Sequence, residues 1–145
     1  FMKNVTLDFH GTKMTVKVPT AETDGSYTII HFVHPPNVGP ALHIHPNNTE
    51  IFHILKGNYK FLIGNKDVDA IAGDTMVVPK GMAHKFSAGD GGGEFLAISP
   101  PTLENYFYEV SLLLMKGKVT WDAEYTIAKK YGQIFLENVN HWKRP

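Results

Sequence analysis

Four side chains in two short stretches of this chain are of the right type and spacing to share a metal ion. His43, His45 and Glu50 stand in GPALHIHPNNTEIFHILKG, residues 39–57, and His84 stands in GDTMVVPKGMAHKF, residues 73–86. His43 and His45 are two apart, so in extended backbone both imidazoles point to one face. Pro46-Asn47-Asn48-Thr49 is polar and turn-prone, and can bring the following strand back beside the pair with Glu50 at its start. Glu50 opens the apolar run Ile51–Leu55, where an unpaired charge would be costly and a metal would offset that cost. Pro79 and Gly81 end the run Met76–Val78 and set a turn that re-aims the chain before His84.

Three imidazoles and one carboxylate suit a divalent transition metal (Fe, Mn, Ni, Co or Zn) over calcium or magnesium, which prefer oxygen shells. A six-coordinate ion held this way keeps two positions open for substrate or oxygen. Glu50 is also the candidate catalytic residue, since a ligand carboxylate that loosens from the ion is the only acid/base group the sequence places beside it. The competing reading is that eight histidines in 145 residues fall near carboxylates by chance.

The two stretches resemble the paired motifs of the cupin superfamily. Gly39, His43, His45, Glu50 and Gly57 match the first, and Gly73, Pro79, Gly81 and His84 match the second. The resemblance implies an all-β double-stranded β-helix (a cupin or jelly-roll barrel), with the metal held inside by His43, His45, Glu50 and His84. Two departures are visible: three residues, not five, separate Gly39 from His43, and Ala88 stands where the second motif closes on asparagine. The fifteen residues between the motifs, 58–72, fit a compact barrel without an inserted lid. With its tail, in which Tyr131-Gly132 follows a helical pattern, the chain looks like the single-domain bacterial cupins of the quercetin dioxygenase-like kind.

The elements that must position these residues are legible by period. Val5, Leu7, Phe9 and Met14, Val16, Val18 alternate with polar residues around His10-Gly11-Thr12-Lys13, a hairpin with one buried face that leaves His10 in the turn. Tyr27–Val33 reads as a strand ended by His34-Pro35-Pro36, which leaves His34 within reach of the pocket mouth but favours a place at the surface. Tyr59–Ile63, Val68–Ile71 and Thr75–Val78 follow, and His84–Ser87 and Glu94–Ser99 read as two strands around a flexible tip at residues 88–93. Strands about every ten residues argue an all-β barrel or sandwich independently of the resemblance. His53 has the parity opposite to Glu50 and so points away from the metal. Phe52, Ile54, Phe61, Met76, Val78, Phe86 and Phe95 are candidates for the apolar interior. From Pro100 the apolar period becomes helical, giving one helix after Thr102 and a second between Thr120 and Gly132. The expected organisation is therefore a barrel with its N-terminal hairpin over residues 1–99 and a two-helix extension over 100–145, packed as one domain.

Fourteen basic and fourteen acidic residues cancel. The basic pairs Lys129-Lys130 and Lys143-Arg144 form no patch for nucleic acid, no apolar run is long enough to span a membrane, and the absence of cysteine fits a cytoplasmic protein. A small-molecule ligand is the expected partner, together with a second copy in a homodimer. Three functions remain open: a metal-dependent dioxygenase acting on a small enol, enediol or phenolic compound, a metal-bearing cupin that binds a small molecule without turnover, and a metal-dependent isomerase.

Overall fold

The computed structural model describes residues 3–117 and 119–137; Lys143-Arg144 lies outside them. The chain forms β1 (Thr6–Phe9), β2 (Thr12–Val18), β3 (Thr28–His34), β4 (His43–Ile44), β5 (Glu50–Ile63), β6 (Lys66–Ile71), β7 (Thr75–Val78) and β8 (His84–Ser99). Helices α1 (Leu103–Met115) and α2 (Trp121–Lys130) follow, then a last short strand β9 (Ile134–Phe135). All strand pairs are antiparallel, in the order β1-β2-β3-β8-β4-β9, with β5 pairing β6, β7 and β8. The sheet curls into the half-barrel of a double-stranded β-helix, and two C-terminal helices extend it.

Two long bent strands form the spine. β5 and β8 pair from Ile51↔Ile98 to Ile63↔His84, with register shifts between Ile54 and Lys56 and between Gly57 and Tyr59. These irregularities let a sixteen-residue strand turn the corner of a barrel without breaking. The expected flexible tip at 88–93 is therefore a correction: the glycines lie within β8, where Gly93 faces His34 of β3 and Gly57 of β5. A side chain is excluded there by contact, since a Cβ on Gly93 would sit 2.5 Å from the ring of Tyr59.

Alternation buries one face of each strand. Phe9, Met14, Val16, Ile30, Phe32, Phe52, Ile54, Phe61, Phe86 and Phe95 point inward, while Met76 of the expected interior is only partly buried. Helix α1 lays Phe107 against Phe9 and Phe32, with ring centroids 5.0 and 5.6 Å apart. Thr102 occupies the N-cap position without capping; its N–H instead donates to Thr20 Oγ1 at 2.8 Å, and Glu104 accepts from the N–H and hydroxyl of Thr20. In α2 Thr120 does cap, accepting from the N–H of Ala123 at 3.1 Å. His10 sits in the β1–β2 turn and meets Glu124 of α2 at 2.8 Å, and Tyr106 of α1 donates to the other oxygen of that carboxylate at 2.9 Å. This buried group fastens both helices to the hairpin. Among the described residues no helix is long and apolar enough to cross a membrane.

Candidate metal centre

His43 lies in β4, His45 just after it, Glu50 begins β5 and His84 begins β8. Pairing brings them together: His43 is the register partner of His84, and Glu50 enters beside β7 opposite Val78. The approach to His84 turns at Gly81, whose φ of 77° is easy only for glycine and whose N–H donates to the carbonyl of His45 at 2.9 Å. One ligand atom from each of the four residues lies within 4.8 Å of the others, and all four residues are buried. His53, by contrast, points outward to Thr75 Oγ1 at 2.9 Å.

The hydrogen bonds around the cluster leave lone pairs facing its centre. His43 Nδ1 donates to the carbonyl of Ala41 at 2.8 Å, and His84 Nδ1 to that of Met82 at 2.9 Å. A carbonyl only accepts, so each Nδ1 carries a hydrogen, and in the neutral imidazole each Nε2 then keeps its lone pair. For His84 that lone pair meets Glu50 Oε1 at 3.2 Å, while His45 Nε2 lies 3.0 Å from the same oxygen. Neither ring nitrogen of His45 is in hydrogen-bond geometry with any partner, although both are buried. Lone pairs crowded on a carboxylate oxygen repel unless positive charge sits among them, and a divalent ion supplies it. The residues present thus fit a metal ion.

The electrostatics agree. Burial, then the charges of His84 and His45, push the His43 imidazole well below its ordinary value, so it is neutral and able to ligate. Burial alone would raise the Glu50 carboxyl, but the charge of His45 and contacts with His45 and His84 outweigh it and hold the group well below the carboxylate range. Ser99 at the end of β8 donates to Glu50 Oε2 at 2.7 Å and fixes which oxygen faces the histidines.

The cluster opens into a cavity lined by Phe32, Phe52, Phe86, Phe95, Leu103 and Phe107, with Pro40 and Gln133 completing it. Of the proposed interior residues, Phe52, Phe86 and Phe95 line this cavity and the others pack elsewhere. Its free space, ≈ 20 Å³, is that of about one water-sized particle. Three features escaped sequence reasoning. Ser99 had no motif around it, and its inward parity could be read only once β8 was known to be unbroken. Gln133 belongs to a segment with no periodic signal of its own. His34, expected at the surface, is buried in the interior, stacked on Phe32 and bonded through Nδ1 to Tyr59 Oη at 2.6 Å.

A family model for the cupin domain matches residues 30–99, which run from β3 through β8 and contain all four clustered residues. This stretch, a little under half of the chain, is a cupin domain. Solved structures similar to this cupin include KdgF from Halomonas sp., at 14% identity and a TM-score of 0.58 over 66% of this chain and 84% of that one. A predicted oxalate decarboxylase from Thermotoga maritima is 24% identical with a TM-score of 0.56, over 67% and 90% of the two chains. The Cnp3 cupin domain of Schizosaccharomyces pombe is 15% identical with a TM-score of 0.55, over 77% and 74%. At these identities the likeness is one of fold. A search of curated protein sequences finds no match.

Proposed function

We propose that this cupin holds a divalent transition metal through His43, His45, Glu50 and His84 and acts as a dioxygenase on a small enol or phenolic compound, as the resemblance to quercetin dioxygenase-like cupins suggests. The observation that carries the reading is the buried cluster of four possible ligand atoms, in which Nδ1 of His43 and of His84 is pinned to a carbonyl. A metal bound there would supply Lewis acidity and open positions for the substrate oxygen and for dioxygen. The chain's own residues do the rest. The phenylalanine-lined cavity shields the cluster from bulk water. Glu50, steadied by Ser99, takes the proton from the substrate hydroxyl as general base.

The test is elemental analysis of protein purified without added metal or a polyhistidine tag, beside a His43→Ala/His84→Ala variant, followed by oxygen-uptake measurements with enediols and phenols. Near-stoichiometric iron, manganese, nickel or cobalt that disappears in the variant, with oxygen consumption, is the expected result. Protein that takes up no metal on reconstitution would refute the reading. One observation favours a second reading, a metal-bearing cupin that binds a small molecule without turnover: the described lining residues offer no acid or base beyond those that would hold the ion. Metal without oxygen uptake, but with saturable ligand binding, would select it. The isomerase reading needs a second proton carrier, and among the described lining residues Glu50 is the sole carboxylate. A homodimer in the cytoplasm completes the proposal; light scattering that shows only monomer removes the first part, and fractionation tests the second.

A further inference from the structure

Gln133 reaches the metal cavity from outside the part of the chain that the cupin domain model covers. It is 4% exposed, lines the same cavity as His43, His45 and Glu50, and is the one polar side chain among the described lining residues besides those three. Its amide makes no hydrogen bond among the described residues, and its polar atoms are not among the fully buried unpartnered ones, so the amide stays open to a small molecule in the cavity. The backbone on both sides is fixed. The Gln133 N–H donates to Ala128 O at 2.9 Å at the end of α2, and the next residues form β9, pairing Ile134 with Ile44 and Phe135 with His43. Leu136 N–H then donates to Leu42 O at 2.8 Å, and Glu137 accepts from Leu42 N–H at 2.9 Å. Phe135 is stacked on Tyr125 of α2 at 4.6 Å. A polar side chain whose backbone is fixed on both sides, set among phenylalanines beside the possible metal ligands, is placed to meet a ligand's polar group.

Charge narrows the ligand further. A divalent ion on three neutral imidazoles and one carboxylate carries one net positive charge. Among the described lining residues there is no lysine or arginine. A monoanion bound to the ion makes the site neutral, whereas a dianion would leave a buried negative charge among phenylalanines.

We propose that Gln133 is the ligand-selecting residue of this centre, hydrogen-bonding the neutral hydroxyl or carbonyl oxygen of a small monoanion whose charged oxygen binds the metal. Compounds of this class are α-hydroxy and α-keto carboxylates and singly ionised enediols. The inference rests on the metal reading above and deepens it: the barrel supplies the ion, and the C-terminal extension supplies the discrimination.

The test uses the full chain loaded with cobalt(II), whose content is measured first and whose visible bands report changes in coordination. Glycolate, acetate and oxalate are titrated by calorimetry and by those bands into the wild type and Gln133→Met, a change of similar length that removes the hydrogen bonds. The expected result is that Gln133→Met keeps its cobalt, binds acetate unchanged and binds glycolate about tenfold more weakly, the worth of one hydrogen bond. Oxalate, in which a second carboxylate replaces the hydroxyl, should bind the wild type no more tightly than glycolate. An unchanged glycolate affinity in a cobalt-loaded Gln133→Met overturns the role of Gln133 and leaves the metal centre standing. Tighter oxalate binding overturns the monoanion preference, and a wild type that binds no cobalt overturns the metal reading and this one with it. If Gln133→Met misfolds, Gln133→Glu decides: a carboxylate facing the bound anion should weaken glycolate and acetate alike by tenfold or more, and unchanged affinities there also overturn the proposal.

Discussion

His34 is an imidazole buried among Phe32, Phe86 and Phe95, and burial, aided by the charge of His31, lowers its pKa to about 3. Neutral, it bonds to Tyr59, whose hydroxyl burial pushes well above its ordinary value. The sign of the pH effect follows. Between the unfolded value near 6.5 and the folded value near 3 the unfolded chain binds a proton that the folded chain refuses, so stability falls as pH falls through that window. At pH 4.5 the cost approaches about 3 kcal/mol. His34→Gln, which keeps a hydrogen-bonding group without a titration in this range, should lose correspondingly less stability between pH 7 and 4.5 in urea denaturation. Equal losses in the two proteins would show that His34 does not set the acid limit. A second expectation at this scale concerns Glu50: Glu50→Gln keeps an oxygen ligand but removes the base and the charge, so turnover should fall at least a hundredfold while metal content falls less. Metal analysis beside oxygen uptake separates the two effects, and retained turnover would end the base role.

The elements carry the fold through two long strands, and glycine substitutions test that description of β8. A loop tip would accept alanine anywhere between residues 88 and 93. A strand pressed against Tyr59 will not: Gly93→Ala puts a Cβ 2.5 Å from a ring that is itself buried, and should cost about 2–3 kcal/mol by overpacking. Gly91→Ala meets nothing within 4 Å and should change little. Chemical denaturation of the two variants gives the answer, and equal behaviour would favour the loop. The same strand shows where sequence reasoning stops. The spacing of His43, His45, Glu50 and His84 was legible because it reflects local geometry: alternation in β4, a turn before Glu50 and the Pro79–Gly81 turn before His84. A glycine run signals a turn when only its neighbours are considered, and what straightens it here is pairing with β3 and β5, which the local sequence does not encode. His34 was misplaced for the same reason. The prolines after it mark the end of β3, but its pairing with Gly93 puts it inside the barrel. β9 was invisible because its two residues acquire a strand conformation only by pairing with β4; the bond from Leu42 to Glu137 spans 95 positions.

At the scale of the molecule the cluster is a cross-link. Its four side chains come from β4, the turn after it, β5 and β8, and although His43 and His45 are neighbours in sequence, Glu50 and His84 join them only when the barrel has closed. A metal ion therefore binds the folded chain and not the unfolded one, and its binding energy adds to folding stability. At a metal concentration 100-fold above the dissociation constant the gain is about 2.7 kcal/mol, which for a chain of this size raises the melting temperature by roughly 5–10 °C. Chelator-treated protein should melt lower by that amount and recover when iron, manganese, cobalt or zinc is returned. His84→Ala should show no such response, because it removes the donor that joins β8 to the ion and leaves Glu50 and two imidazoles. Calorimetric scans of wild type and His84→Ala, with and without metal at pH 7.5, contain the whole comparison. A melting temperature indifferent to metal at pH 7.5 would mean that the four side chains converge without holding an ion. A metal-dependent rise that His84→Ala retained would place the ion elsewhere on the chain.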